Sequence, residues 1–272
     1  MTTSTAPVLQ AENLGKRYRN RNRWALSDCT LSIPAGRIVG LVGPNGAGKT
    51  TLLNLAAGLL RPDTGHIRVL GAAPAADAAH LARVGYVAQD APLYAQLSVA
   101  DHLQLGAHLN PGWDAAWATA RITAAGLPPK AKTRTLSGGQ RAQLAVTLAV
   151  AKRPELLILD EPAAALDPLA RREFLDALAD AVTGSGAGTG TGTGVGPGAG
   201  VGMSVVLSSH LLTDLERVCD HLIILTAGRV QANGAITDLL AAHRARTKPD
   251  ADVEDMVLTY LSRGHHTQEE TR

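Results

Sequence analysis

A glycine-rich segment that directly follows an apolar run constrains this chain more than any other feature of its sequence. The run RIVGLVG (37–43) predicts a buried β-strand and leads into GPNGAGKT (43–50). That segment fits the pattern G-x-x-x-x-G-K-[ST], in which backbone N–H groups converge on phosphate oxygens. The pattern requires a strand before it and a helix after it, so we expect a helix to begin near Lys49. The sequence therefore predicts a phosphate-binding loop in an α/β fold.

Further apolar runs alternate with helical patterns along the rest of the chain. Strands are predicted at YVAQ (86–89), ELLILDEP (155–162) and MSVVLSSH (203–210), and this alternation indicates a mainly parallel α/β core. The residues before the phosphate loop show strand alternation and turns, which predicts an N-terminal antiparallel β subdomain. The Ala/Leu-rich stretch at about 92–150 predicts a smaller helical lobe inserted in the core. One domain covering 8–235 is expected.

Two segments stand apart from this pattern. Residues 184–202 carry glycine at every second position, which predicts a flexible loop between a helix and a strand, with no function assigned. Residues 236–272 are expected to form a short C-terminal helix, centred on DVEDMVLTYLSR, and a polar tail.

Composition narrows the function classes. The chain has 272 residues with 45% hydrophobic residues, which excludes a disordered protein. A net charge of +2 and an aromatic content of 3% give no basis for a nucleic-acid partner, and none is expected. We find no signal-peptide pattern and no apolar run long enough to span a membrane. The protein is expected to be soluble or attached to a membrane only through a partner.

The second chemical motif is LLILDEP (156–162), a predicted strand that ends in two acids. Open α/β sheets bind ligands at the carboxyl ends of their strands. There Asp160 can hold Mg²⁺ through its hydration shell, and Glu161 can accept a proton from an attacking water. A DE pair alone also ends many ordinary strands, but downstream of a phosphate loop it predicts nucleotide chemistry. In the same scheme Lys49 adds positive charge toward the phosphates and the Thr50 hydroxyl ligates Mg²⁺.

The third motif, TLSGGQR (135–141), contains no carboxylate, histidine or metal ligand. It precedes a predicted helix, so its serine and glycines form an anion grip at a helix N-terminus. Ser137 can also act simply as the cap of that helix. The motif lies about ninety residues from the phosphate loop in the same chain, which raises the question of which anion it binds.

The segments GPNGAGKTT, LSGGQ and LLILDEP, in that order, resemble the ATP-binding cassette (ABC) ATPases over about residues 8–235. LSGGQ is the signature that distinguishes this family from other P-loop proteins. The resemblance implies ATP and Mg²⁺ as cofactors and a head-to-tail dimer with two ATP molecules sandwiched between the subunits. The signature of one subunit would grip the γ-phosphate bound by the phosphate loop of the other, which answers the question of the anion.

The resemblance also implies individual roles. Nucleotide contacts fall on Gly43, Pro44, Asn45, Gly46, Ala47, Gly48, Lys49, Thr50, Thr51 and, across the dimer, Ser137, Gly138, Gly139 and Gln140. Tyr18 matches the aromatic residue that stacks on adenine, although Trp24 could compete for that role. Glu161, His210 and Gln89 take catalytic roles as base, γ-phosphate contact and sensor of the attacking water. The metal set is Thr50, Gln89 and Asp160, and Asp167 lies in the loop that crosses the dimer interface.

One departure from the family lies at 163–165, where three alanines replace a stretch in which many relatives carry a hydroxyl. This change bears on coupling between subunits rather than on ATP binding.

The function expected from the resemblance is the ATPase subunit of an ABC transporter. It would pair with a second ABC ATPase subunit and a multi-span membrane permease subunit at the cytoplasmic face of the membrane. Export, of the drug or antibiotic type, is the expected direction. Only about thirty-five residues follow the predicted hairpin, so the chain resembles the compact single-cassette ATPases of bacterial exporters more than the importer cassettes that carry a sizeable C-terminal regulatory domain. The alternatives are a soluble, non-transport ABC ATPase acting on ribosomes or DNA, and a P-loop kinase, against which LSGGQ argues.

Overall fold

The computed structural model of the protein describes residues 6–18, 23–183 and 202–269. Most of the glycine-rich segment, residues 184–201, lies outside the described residues, so the expectation of a flexible loop stays a prediction. The described strands are β1 Leu9–Tyr18, β2 Arg23–Ile33, β3 Ile38–Val42, β4 Thr64–Val69, β5 Val84–Val87, β6 Leu156–Asp160, β7 Ser204–Ser208, β8 His221–Thr226 and β9 Arg229–Ala235. The helices are α1 Lys49–Ala56, α2 Ala78–Arg83, α3 Val99–Leu109, α4 Ala115–Ala124, α5 Gly138–Ala151, α6 Pro168–Thr183, α7 Leu212–Val218, α8 Ile236–Arg244 and α9 Val253–Glu269.

The strands form two sheets, as the sequence predicts. An antiparallel sheet has the order β2-β1-β4, and a six-stranded sheet has the order β5-β6-β7-β3-β8-β9. All pairs from β5 to β8 are parallel, and only the final hairpin, β8 with β9, is antiparallel. The predicted α/β fold with a mainly parallel sheet and an N-terminal antiparallel β subdomain is confirmed. Because β5, β6, β7 and β3 are parallel neighbours, their carboxyl ends lie along one edge of the sheet.

The core consists of two layers on opposite faces of the six-stranded sheet. Alternate residues of its strands point to each face, which follows from the two-residue period of a β-strand. One layer joins the sheet to α1 and to the antiparallel sheet, through residues such as Leu41, Leu53 and Leu14. The other joins it to α5, α6, α7 and α9, through residues such as Leu159, Phe174 and Met256. Burial on both faces explains why these strands are continuous apolar runs.

The helical lobe has a small core of its own, formed by Val99, Ile122, Leu127, Leu136 and Leu144. Its helices start at side-chain caps: in α3 the Ser98 hydroxyl accepts the Asp101 N–H, and in α4 Asp114 accepts the Trp117 N–H. These caps fix the helix starts by satisfying N–H groups that have no partner within the helix. Helix α5 belongs to the lobe at its N-terminus and to the main core at its C-terminus.

The C-terminal segment differs from the prediction of one short helix and a tail. A helix not anticipated from the sequence, α8, follows β9 directly, and α9 continues to Glu269 through most of the expected polar tail. Met256 and Val257 of α9 are buried against the main core. Packing of this apolar face against the main core stabilises α9.

Candidate functional site

The phosphate loop, residues 43–50, connects β3 to α1 in the strand–loop–helix context that its motif requires. Gly48 has φ 105°, and a Cβ there would lie 2.5 Å from the Ala25 carbonyl oxygen, so only glycine fits this turn. Lys49 is buried, and its Nζ donates to the carbonyl oxygens of Gly43 at 2.6 Å and Pro44 at 3.3 Å. The lysine thus closes the loop on itself and holds its charge at the edge of the sheet.

The rest of the loop shows which groups face outward. Gly43 and Ala47 are buried, whereas Asn45, Gly46 and Thr50 are exposed. The backbone at the N-terminus of α1 is therefore open to a ligand, and a helix N-terminus with exposed N–H groups favours an anion.

Two carboxylates lie near Lys49. Burial lowers the pKa of the Lys49 ammonium below its ordinary value, and the charges of Glu161 and Asp160 oppose that shift. The phosphate loop and the acids that end β6 therefore form one electrostatic unit, with a buried cation between a phosphate-binding turn and two anions.

Asp160, the last residue of β6, is buried with a relative exposure of 1%. Its Oδ1 accepts a hydrogen bond of 2.7 Å from the hydroxyl of Ser208, the residue beside it on β7. Its Oδ2 is also buried and has no hydrogen-bond partner among the described residues. A buried carboxylate oxygen without a partner is costly, so this oxygen is available for a ligand that brings positive charge or a donor.

Glu161 follows in a left-handed backbone conformation with φ 47°, which non-glycine residues rarely adopt. Its backbone N–H donates to the Ser208 hydroxyl at 2.9 Å. Its Oε2 lies 3.3 Å from Nδ1 of His210, which is half-exposed beyond the end of β7. The structure thus brings together the predicted base and the predicted γ-phosphate contact at one edge.

A cleft of about 700 Å³, here called the lobe cleft, opens between the main core and the helical lobe. Thr50, Gln89 and Asp160 line it together, so the three residues predicted to hold a metal share one cavity. On its wall the Tyr86 hydroxyl donates to Asn54 Oδ1 at 2.7 Å, and burial raises the pKa of Tyr86 to about 12. This bond joins α1 to β5, the strand that leads to Gln89.

The donor set of the lobe cleft fits Mg²⁺ bound together with a nucleotide. Mg²⁺ takes oxygen ligands and usually keeps several waters, bound through one or two carboxylates plus phosphate oxygens. Asp160 Oδ2, the Thr50 hydroxyl and the Gln89 amide are ligands of this kind. The described residues contain no cluster of three or more His, Cys, Asp or Glu side chains that could hold a metal by themselves.

The signature motif, residues 136–140, stands outside the lobe cleft. Ser137 caps α5 through a capping box: its hydroxyl accepts the Gln140 N–H, and Gln140 Oε1 accepts the Ser137 N–H. Within the same chain, the part of α5 that lines the cleft begins at Ala145. With a rise of 1.5 Å per residue, Gly138 lies about 10 Å further along the helix axis. The chain thus does not bring its own signature into the cleft beside Thr50.

The signature contacts the loop after β6 instead. A Cβ built on Gly138 would lie 3.4 Å from the Ala165 Cβ, and one on Gly139 would lie 3.2 Å from Leu166 Cδ2. In the same loop, Asp167 is exposed, and its Oδ1 accepts the N–H groups of Leu169 and Ala170 at the start of α6. Two of the predicted cross-dimer elements are therefore neighbours on one surface.

Tyr18 lies at the end of β1, and its hydroxyl is 3.4 Å from that of Thr51 in α1. The residue is 41% exposed. Trp24 is equally exposed, but its ring covers Gly15, where a Cβ would meet Trp24 Cζ3 at 2.9 Å. Of the two aromatic candidates for adenine stacking, Tyr18 is the one that contacts the phosphate-loop helix.

Sequence reasoning missed Ser208, which hydrogen-bonds both Asp160 and Glu161. The only signal in the sequence is MSVVLSSH, where two serines follow the apolar residues VVL at the end of a predicted strand. The Tyr86–Asn54 bond was missed as well, because neither residue belongs to a motif.

A search of the described ranges finds no helix that combines the length and the apolar character needed to cross a membrane.

The chain is similar to known proteins in both sequence and fold. Residues 26–164 match the family described as ABC transporter. The molybdenum import ATP-binding protein ModC of Rhodobacter capsulatus is 34% identical over 84% of this chain and 60% of its own length. The linearmycin resistance ATP-binding protein LnrL of Bacillus subtilis is 31% identical over 85% of this chain and 70% of its own length. The chain thus spans about 60% of the length of the ModC relatives that it matches.

Solved structures show the same architecture. An ATP-binding subunit of an ABC transporter superposes with a TM-score of 0.76 at 26% identity, covering 93% of this chain and 99% of that one. A bacterial ABC transporter cassette solved as a dimer shares the fold, with a TM-score of 0.69 at 23% identity over 84% of this chain and 98% of that one. The chain therefore belongs to the ABC transporter family of ATP-binding cassettes.

Proposed function

We propose that this chain is the ATP-binding and ATP-hydrolysing subunit of an ABC transporter. The observation that carries the proposal is the convergence, at one edge of the parallel sheet, of the phosphate loop, the unpartnered Oδ2 of Asp160 and the Glu161–His210 pair. Binding and hydrolysis of a nucleoside triphosphate require these parts, and an isolated phosphate loop does not supply them.

In the proposed reaction the loop N–H groups and Lys49 bind the β- and γ-phosphates of ATP. Tyr18 stacks on the adenine, while Asp160, Thr50 and Gln89 hold Mg²⁺, partly through water. When bound, Mg²⁺ neutralises charge on the phosphates as the terminal bond breaks. The contribution of the chain is to position these groups before the reaction begins, which is the main source of catalysis in phosphoryl transfer.

Glu161 is the proposed base. Its carboxylate is mostly shielded from solvent, with 14% of the side chain exposed, and lies at the carboxyl end of β6. From there it accepts a proton from, or orients, the water that attacks the γ-phosphate. His210 is half-exposed beside it and contacts the γ-phosphate from the end of β7.

The active unit in this proposal is a dimer with a second ABC ATPase subunit. The N-terminus of α5 is exposed at Ser137 and has no acid or base of its own, so it is half of a site. The signature residues Ser137, Gly138 and Gly139, with Gln140 beside them, complete the site of the partner subunit. Asp167 reaches across the same interface, since its loop contacts the signature.

The proposed membrane partner is a multi-span permease subunit that docks at the lobe cleft. Leu59 and Leu109, both on the cleft wall, are exposed by 63% and 69%. A contiguous exposed apolar patch marks a binding surface, and in this proposal the two leucines contribute to one. Gln89 lies in the same cleft, so a docked segment and the metal site would share a wall. This partner would place the chain at the cytoplasmic face of the membrane.

For the direction of transport we propose export. Support comes from LnrL, whose name denotes resistance, and from a Nod factor export ATP-binding protein of Ralstonia nicotianae that is 32% identical over 87% of this chain. ModC, whose name denotes import, is the competing precedent. Uptake and efflux of the substrate in cells with and without the chain decide between them.

The experiment that tests the proposal is a pull-down of tagged Glu161→Gln protein with MgATP from detergent-solubilised native cells, with partners identified by mass spectrometry. We expect this variant to keep ATP binding and to lose turnover about 10²- to 10⁴-fold, because it removes a general base. Glu173→Gln, the same change at an exposed position of α6, is the control. A near-stoichiometric multi-span membrane protein supports the transporter function.

Other outcomes count against the proposal. Ribosomal or DNA-associated proteins in place of a membrane subunit favour the soluble, non-transport class of ABC ATPase. Wild-type turnover in Glu161→Gln contradicts the assignment of the base.

A further inference from the structure

Ser208 occupies a position that no sequence motif assigns. It is the last residue of β7, its relative exposure is 0%, and it pairs directly with Asp160 of β6. A buried hydroxyl in an apolar strand needs partners, because an unsatisfied one is costly. Here both partners belong to the acidic pair.

The hydroxyl of Ser208 acts as both a hydrogen-bond donor and a hydrogen-bond acceptor. Its one proton is donated to Asp160 Oδ1 at 2.7 Å, and its oxygen accepts the Glu161 N–H at 2.9 Å. A serine hydroxyl has one donor and two acceptor positions, so the donor is fully committed to Asp160. With Oδ1 held in this way, the rotation of the carboxylate is fixed and Oδ2 is left as the free oxygen.

The second bond acts on the backbone of Glu161. A φ of 47° is unfavourable for this residue and persists only where the surroundings enforce it. The hydrogen bond from its N–H to Ser208 is one such constraint. It sets the direction in which the Glu161 side chain leaves β6, and that direction places Oε2 3.3 Å from His210 Nδ1.

We propose that Ser208 is a positioning residue that sets the metal-facing oxygen of Asp160 and the orientation of Glu161 through one hydroxyl. The inference rests on the proposed function, because it takes the roles of Asp160 and Glu161 from there. Ser208 itself does not touch the reacting atoms. Its effect is to make the metal and base positions depend on the same strand, β7, which also leads to His210.

The chain offers a matched control on that strand. Ser204, at the opposite end of β7, is also buried, with 2% exposure, and its hydroxyl accepts the Gly36 N–H at 2.8 Å. Ser204→Ala removes a buried serine hydroxyl from the same strand without touching either acid. A purely structural role predicts that Ser204→Ala and Ser208→Ala behave alike.

The test compares Ser208→Ala, Ser208→Thr and Ser204→Ala by ATP affinity with and without Mg²⁺, by ATPase kinetics and by thermal stability. We expect Ser208→Ala to keep its affinity for ATP in the absence of metal but to need several-fold more Mg²⁺ for half-maximal binding. Its kcat should fall about tenfold or more with little change in KM, because a buried hydrogen bond to a charged group is lost. Ser208→Thr restores these values, and Ser204→Ala changes only stability. Equal Mg²⁺ dependence and equal kcat in the two alanine variants overturn the proposal.

A crystal structure of nucleotide-free Ser208→Ala separates this proposal from the ATPase function. We expect the Asp160 carboxylate to rotate and φ of Glu161 to leave the left-handed region. If both stay as they are in the wild type, the positioning role is overturned whether or not the protein hydrolyses ATP. If the wild type proves inactive while the variant shows these shifts, the proposed function fails and the positioning role stands. Ser208→Cys, of similar size but with a weak donor, replaces the alanine variant in all measurements if that variant does not fold.

Discussion

The phosphate loop and the signature motif are both helix N-termini suited to an anion, yet their surroundings differ. The phosphate loop precedes α1 in the centre of the sheet, with buried Lys49 and buried Asp160 beside it. The signature precedes α5 with Ser137 exposed, and its side-chain hydrogen bonds run within its own first turn. The phosphate loop has a cation, two acids and a histidine close by. The signature has N–H groups, a helix dipole and one cation, Arg141, whose guanidinium donates to the Leu136 carbonyl oxygen, but no acid or histidine among its own residues.

In the proposed function the two motifs therefore have different roles. The phosphate-loop region contains the groups for binding and chemistry, so one chain should bind nucleotide by itself. In the proposed function the signature region, which is capped within its own first turn, contributes by facing the phosphate bound by another subunit. The substitutions below test whether binding and cross-subunit contact are separated in this way.

The largest effect is expected from Lys49→Ala. The change removes the buried ammonium that closes the loop, and hydrogen bonds to charged groups are worth about 1.5–3 kcal/mol, so the Kd for MgATP should rise about 10- to 100-fold or more. Isothermal titration calorimetry measures it. Lys130→Ala, at an exposed lysine of the lobe, serves as the control and should bind normally. Undiminished affinity in Lys49→Ala would contradict the assignment of nucleotide binding to the phosphate-loop region.

Gly138→Asp should separate binding from turnover. The site has room for a side chain, and an acidic residue in the first turn of α5 suits the helix dipole, so the fold should hold. The new carboxylate repels the partner's γ-phosphate, so we expect monomer affinity for MgATP to stay unchanged while ATP-dependent dimerisation and turnover are lost. Analytical ultracentrifugation and an ATPase assay measure the two.

A mixture of Gly138→Asp and Lys49→Ala protein sharpens the same test. A mixed dimer pairs an intact phosphate loop from one variant with an intact signature from the other. Turnover in the mixture above that of either variant alone is expected. If the mixture stays as inactive as its components, the cross-subunit arrangement is contradicted.

Ser137→Ala should show how much the signature contributes to stability as a helix cap. It removes a capping-box hydroxyl, which typically costs about 1 kcal/mol and lowers Tm by about 2–4 °C in a chain of this size. Differential scanning calorimetry measures the loss. Ser98→Ala removes the equivalent cap of α3 and should cost a similar amount without affecting ATP-dependent dimerisation. An unchanged Tm in Ser137→Ala would mean that the cap contributes nothing to the fold.

The smallest effect is expected outside both regions, at the Arg83–Glu155 ion pair. The hydrogen bond from Arg83 lowers the pKa of Glu155, so the pair stabilises the fold above the ordinary carboxyl pKa and loses this effect as pH falls through the lowered value. Both side chains are about half exposed, so Glu155→Gln should cost less than about 1 kcal/mol at pH 7. The Tm difference from wild type should shrink toward pH 3. A difference that grows on acidification would contradict this sign, and nucleotide affinity should not change.

The sequence predicts the fold and the location of the motifs because those features are local. A strand, a glycine turn and a helix in that order define the phosphate loop, and apolar runs define the buried strands. Ser208 escaped prediction because its importance depends on which strand lies beside β6, and that pairing is set by the whole sheet. The left-handed conformation of Glu161 likewise depends on tertiary contacts.

The position of β3 in the sheet has a consequence for how the protein is made. Its two neighbours are β7 and β8, which begin at Ser204 and His221, far later in the chain. Pairing between such distant segments is slow, because a long loop must close first. During translation the N-terminal part of the chain emerges from the ribosome first. The nascent chain therefore carries its phosphate-binding motif long before the strands that shape it exist. We therefore expect the phosphate loop to reach its final shape only after β8, which ends at Thr226, has emerged from the ribosome.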